Sequence, residues 1–196
     1  MAHIDYFFTP LSPFAYLAGD GLEAIAAKRG ATIAYKPANY GRLMEVTGGL
    51  PVGKRHPSRQ AYRLQELPRI AKRNGLKINV HPAHWPTDGT LACAAIAAVQ
   101  AAGGDAGAVA RALMTACWAE EKDIAEAAVV DASVVAAGAA VDSFDIDAAK
   151  ATVEANTDEG IEAGVFGAPF YIVDGDQKFW GQDRLAYLDD HLAGTL

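Results

Sequence analysis

The chain has 196 residues, enough for one domain with a substantial core, and its 51% apolar and 21% charged content is that of a globular protein. A net charge of −7 speaks against a nucleic-acid partner, because nothing offsets phosphate repulsion over the surface as a whole. No run reaches the roughly 20 unbroken apolar residues of a membrane span, and no basic segment followed by an apolar run opens the chain, so neither a membrane partner nor a signal peptide is expected.

The first predicted element is a strand, "HIDYFF". Ser12-Pro13 then opens a helix. The serine hydroxyl suits an N-cap, and a proline at the first helical position loses nothing by lacking its N–H. Leu11 and Tyr16 stand where a hydrophobic staple would place them. Phe14, Leu17, Leu22 and Ile25 supply the apolar face. Lys28 and Arg29 suit the negative end of the helix, and Gly30 is its natural stop. The second strand is "TIAYKP", Thr32 to Pro37. A strand, helix and strand of these lengths predict a parallel pair with a right-handed crossover.

From about Asn39 to Gly164 the pattern is helical. Helices are predicted over Tyr62 to Asn74, Thr90 to Ala102, Ala106 to Glu121 and Ile146 to Asn156, the last three rich in alanine. The only cysteines, Cys93 and Cys117, lie far apart within this pattern. They read as buried, unpaired thiols, which fits a reducing cytoplasm. His81 and His84 have no acidic or thiol companions at ligand spacing, so no metal is expected.

The chain closes with a hairpin and a helix. Phe170 to Val173 and Gln177 to Trp180 are strands about an Asp174-Gly175 turn, and Leu185, Leu188 and Leu192 mark the helix from Gln182. The whole order is βαβ, a helical block, β-hairpin, helix. It predicts an α/β thioredoxin fold in which 1–38 and 165–196 form the sheet domain and 39–164 a helical insertion that acts as a lid. Pro169 belongs at the first position of an internal strand, since it donates nothing to a sheet. In this fold that place holds a cis-proline facing the first helix.

In thioredoxin folds the seam of first strand and first helix carries the active-site thiol. Here "LSPF" has Ser12 at that place and no Cys-x-x-Cys, so disulfide exchange through two protein thiols is unavailable. Together "DYFFTPLSPFAYLA", "GVFGAPFYIV" and "FWGQDRL" resemble the 2-hydroxychromene-2-carboxylate isomerases and their relatives, the kappa-class glutathione transferases, of the DsbA-like branch. The resemblance covers essentially the whole chain; the end motifs are specific in combination, and the helical middle is similar only in pattern.

The resemblance implies glutathione as cofactor, its thiol replacing the missing cysteine. Ser12 would donate a hydrogen bond to the sulfur, and the helix N-terminus would add its field. Lowering a thiol pKa by about two units requires roughly 2.7 kcal/mol, the order that a charge-assisted hydrogen bond and a helix terminus supply. Ala168, before Pro169, would pair its backbone with the cysteinyl unit as an added strand does. Gly181, Gln182 and Asp183 would hold the γ-glutamyl end, Gln182 and Asp183 at a helix start, with Asp183 toward its ammonium. Trp180 would line the site. Alone, Asp183 reads as an ordinary first-turn acid and Trp180 as a core aromatic.

The second substrate would be a small aromatic acid between the thiol and the lid. "TGGLPVGKRHPSRQAYR" gathers Lys54, Arg55, His56, Arg59 and Arg63 in an otherwise acidic chain. It reads either as a solvated basic loop or as recognition of carboxylates, with Lys54 and Arg55 the candidates. "HPAHWP" puts Trp85 where the family has a substrate-lining aromatic. The isomerase pattern expects a lysine near Met44 and an asparagine at Gly49, so this chain departs from it in the acid pocket. The implied reaction is reversible addition of the thiolate, rotation about the new single bond and elimination, returning glutathione unconsumed. The rival readings are a transferase or peroxidase that consumes glutathione, and a silent binding or chaperone-like module. Family members are often dimers, which extends to this chain as the expectation of a homodimer.

Overall fold

The structure, a computed structural model, describes residues 1–140 and 145–196. Its centre is a four-stranded sheet: β1 (His3–Phe8), β2 (Thr32–Pro37), β3 (Phe170–Val173) and β4 (Gln177–Trp180), in the order β2-β1-β3-β4. β1 pairs parallel with β2 and antiparallel with β3, so the two ends of the sequence meet in one sheet. This is the thioredoxin arrangement with helices inserted between β2 and β3.

Alternation along the strands sorts the core into two faces. Ile4, Tyr6, Phe8, Tyr171 and Val173 point into the larger cluster, while Phe7, Phe170 and Ile172 point into the other. The larger face is covered by α1 (Pro13–Leu17), α2 (Gly21–Arg29), α4 (Pro57–Arg73), α5 (Thr90–Ala101), α6 (Ala106–Trp118) and α9 (Leu185–Leu192). α3 (Tyr40–Thr47) covers the other, beside α8 (Ile146–Glu162), and α7 (Ala127–Ala136) packs behind α6. β2 is an edge strand, and the Gln100 side chain answers its Tyr35 on both sides. The amide oxygen accepts from Tyr35 N–H at 2.7 Å and the amide nitrogen donates to Tyr35 C=O at 2.9 Å, as a neighbouring strand would.

Several helix limits differ from the sequence expectation. The helix after Ser12 is two helices, not one. Gly19 takes φ +63° between them, and the Asn74 amide donates to the Leu17 carbonyl at 2.8 Å, so the carbonyl at the end of α1 has a partner other than the next helical turn. α4 starts at Pro57 rather than Tyr62, so the end of the basic segment, from Pro57 on, is helical; Pro57 takes the first position, after a His56 cap. α6 stops at Trp118, three residues early. α8 runs six residues past Asn156, held by Thr157, whose Oγ1 donates to Val153 C=O and accepts the Asn39 N–H at 2.9 Å. Gln182–Arg184 form a 3-10 turn before α9 begins. No described helix is long and apolar enough to cross a membrane.

Candidate functional site

β1 ends at Phe8, and the chain turns through Thr9, Pro10 and Leu11 into α1. Two indoles fix this loop from outside. Trp118 Nε1 donates to the Pro10 carbonyl at 3.1 Å, and Trp85 Nε1 to the Leu11 carbonyl at 3.0 Å. Ser12 N–H closes the turn on Thr9 C=O at 3.0 Å.

Ser12 is the N-cap of α1. Its Oγ accepts from Ala15 N–H at 3.2 Å and donates to the Ala168 carbonyl at 3.1 Å. The second bond crosses from the first strand–helix seam to the residue before β3, and so joins the two ends of the sequence. The Ala168–Pro169 bond is cis, as expected; Trp85–Pro86 is cis as well. Pro169 C=O accepts from Gly181 N–H at 2.9 Å, while the N–H groups of Ala168 and Phe14 have no hydrogen-bond partner among the described residues. Two donors and one switchable hydroxyl therefore gather at this corner. α1 is only five residues long, so its dipole is that of a single broken-off turn, and local N–H groups and the hydroxyl carry more of any anion stabilisation than the sequence suggested.

The corner opens on a cavity of about 1080 Å³. Ser12, Phe14, Ala168 and Trp180 line it, as do Met44, Arg55, Arg63 and Trp85. Trp180 is half exposed and meets Phe166 edge to face at 4.9 Å. It lies so close to Gly167 that a Cβ there would come within 2.3 Å of its Nε1, which is why that position has no side chain. Cys93 also lines the cavity, but burial pushes its thiol up to about 12, so it stays protonated near neutral pH. Both cysteines are free and buried, as expected.

Not every candidate gathers here. Lys54 ends a 3-10 turn, Val52–Lys54, and is exposed, away from the cavity lining. Arg55 does line it and donates through Nε to Leu50 C=O at 2.8 Å. Gly181, Gln182 and Asp183 lie outside the large cavity's lining. Their turn packs against α1; Gln182 borders a separate cavity of about 710 Å³ with Tyr16 and Arg111, and the Asp183 carboxylate pairs with Arg184 at 2.8 Å. Met44 borders the cavity with Gly49 packed on its side chain, so an apolar thioether occupies the place of the expected lysine.

Arg63 belongs in sequence to the basic cluster of Lys54, Arg55, His56 and Arg59. It falls on the buried stripe of α4 with Leu67 and Ala71, at successive steps of four residues. That spacing was present in the sequence; a charged residue in register with an apolar stripe was the available signal.

Comparison with known proteins agrees with this fold. The DSBA-like thioredoxin domain family matches residues 3–193. A curated relative from Sphingobium xenophagum, 2-hydroxychromene-2-carboxylate isomerase, is 29% identical over 203 residues, spanning 96% of this chain and 97% of that protein. A solved 2-hydroxychromene-2-carboxylate isomerase superposes with a TM-score of 0.75 at 24% identity, covering 98% of this chain and 95% of the other. The cytosolic disulfide reductase DsbM from Pseudomonas aeruginosa, solved with GSH, gives 0.66 at 21% identity, over 98% and 96% of the two chains.

Proposed function

The chain belongs to the DsbA-like thioredoxin family, and on that footing we propose that it is a glutathione-dependent isomerase of a 2-hydroxychromene-2-carboxylate-like aromatic acid. The observation that carries the reading is the Ser12 hydroxyl, set at a strand–helix seam against the backbone of Ala168 and open to a cavity large enough for two small molecules. The curated relatives bear the isomerase name over nearly the full length of the chain.

The residues fit glutathione. The chain's own cavity cysteine is held protonated by burial, so a thiolate has to come from outside. Ala168 N–H is a free strand-like donor, and Ser12 Oγ can turn its proton from the Ala168 carbonyl to a sulfur without breaking the cap, because the cap uses the oxygen as acceptor. When bound, glutathione supplies the thiol nucleophile that this active-site position lacks. Ser12 holds a proton against that sulfur, and Phe14 N–H adds a second donor from the first turn. Trp85 presents an aromatic wall to a planar acid, and the cavity keeps bulk water from the conjugated system. Ser12 acts by hydrogen bonding and forms no covalent bond. Gly181, Gln182 and Asp183 are proposed for the γ-glutamyl end. The protein is proposed to work in the cytoplasm, as a homodimer, with 39–164 as the lid over the acid.

The decisive experiment is stoichiometric. Given a hydroxychromene carboxylate and a trace of glutathione, the enzyme converts many equivalents of acid and the free thiol stays constant. Loss of one thiol per product, or no turnover, overturns the reading in favour of a transferase; Met44, apolar where the isomerase pattern has a cation, is the observation that favours that alternative.

A further inference from the structure

Arg63 is 7% exposed, yet it has no ion pair and no hydrogen bond among the described residues, and its Nη2 is sealed from water without a partner. The faces of the guanidinium are accounted for. Its central carbon lies 5.1 Å from the Trp85 ring centroid and 6.0 Å from that of Trp118. Stacking satisfies the flat faces of an arginine but not its edge, where the N–H donors lie in the plane. Arg63 also forms part of the wall of the large cavity. Burial, and then the neighbouring Arg55, lower its pKa, and no carboxylate stands against it among the described residues.

A packing role does not explain the charge. A methionine or leucine on the α4 stripe would fill the same space between the indoles without burying a cation. Leaving a buried donor unmade costs stability, and costs more when the group is charged. Such a cost is sustained where a ligand removes it.

We propose that Arg63 is a carboxylate-binding residue of the acid substrate: the guanidinium turns its edge, Nη2 included, into the cavity that it lines, and the ligand's anion becomes the counterion absent among the described residues. Trp85 links this site to the thiol corner: the indole that carries Arg63 on one face donates its N–H to Leu11, the residue before Ser12. A planar acid held by its carboxylate at Arg63 therefore lies along Trp85 toward Ser12. Arg63 takes over the role left vacant at Met44 and makes this chain selective for acids over neutral aromatics. The aromatic identity of the acid rests on the reading above; the anion site does not.

The test uses the full-length protein, with trans-cinnamate and the uncharged cinnamamide as probes, read by tryptophan fluorescence at Trp85 and Trp118. The wild type is expected to bind cinnamate at least about tenfold more tightly than the amide, and Arg63→Met to bring the two affinities together. Glutathione affinity of the variant stays unchanged, and its Tm without ligand is equal to or above that of the wild type. A selectivity that survives in Arg63→Met, or a wild type that binds neither probe, overturns the proposal. So does a loss confined to glutathione, which would assign the guanidinium to a glutathione carboxylate. If Arg63→Met does not fold, Arg63→Lys takes its place: it keeps a charge without the planar fork, so cinnamate selectivity should weaken, and full retention counts against the site. A wild type that fails to bind glutathione but prefers cinnamate ends the glutathione reading and leaves the anion site standing.

Discussion

In the cavity wall Ser12 has a partner for its donor and for its acceptor, while Arg63 Nη2 is buried with none among the described residues. The Ser12 corner is completed by the fold itself, through Ala15 and Ala168. The α4 wall is completed only by something outside the chain. A site made of satisfied groups costs the free protein nothing and can switch a proton from one acceptor to another. A site made of an unsatisfied cation costs stability and selects whatever relieves it. The first suits the handling of a sulfur, the second the recognition of a charged substrate.

That contrast can be broken at Trp118, which serves both sides. It is fully buried, holds the Pro10 carbonyl and backs Arg63. Trp118→Ala should cost about 3–5 kcal/mol in urea denaturation, as large aromatic deletions in cores do. A loss well below that range would mean that the seam is rigid without it, and that the two sides are less connected than the indoles suggest.

A smaller effect is expected at the corner. Ser12→Ala removes a cap and should cost about 1 kcal/mol, leaving the fold intact. The same variant should raise the pKa of the thiol in its glutathione complex, followed by thiolate absorbance against pH. An unchanged titration would reduce Ser12 to a cap.

The smallest effect sharpens the comparison from a third place. Asp189 on α9 pairs with Lys28 at 2.7 Å and with Arg29 Nε at 2.6 Å at the end of α2. Hydrogen bonds from Arg29, then from Lys28, hold its carboxyl down at about 2. An unfolded aspartate titrates near about 3.9, so the folded value is depressed. The contribution is therefore present above about pH 4 and disappears as pH falls through about 2. Asp189→Asn should lower Tm slightly at pH 7, and the difference from wild type should shrink toward pH 2. A gap independent of pH would point to packing instead of charge. Arg29, paired at the surface, loses by such a change; Arg63, unpaired inside, should lose nothing in the free protein.

Local chemistry made much of this legible in the sequence. The Ser12-Pro13 cap, the Asp174-Gly175 turn and Gly30 in the left-handed region each follow from what one or two residues can do with their own backbone. Strand alternation and the missing Cys-x-x-Cys were equally visible, and with them the fold and the place of Ser12. The break after Leu17 was not, because it depends on an asparagine 57 positions away that takes up a helical carbonyl. The reach of α8 past Asn156 was hidden for the same reason, since Thr157 is held by Asn39. Arg63 shows the division most clearly. Its spacing from Leu67 and Ala71 put it on an apolar stripe, and the sequence alone fixes that. Whether a carboxylate waits there is a question of which helices close around it, and only the packed structure decided that none does among the described residues. Periodicity is a property of one segment; the pairing of a buried charge is a property of everything packed around it.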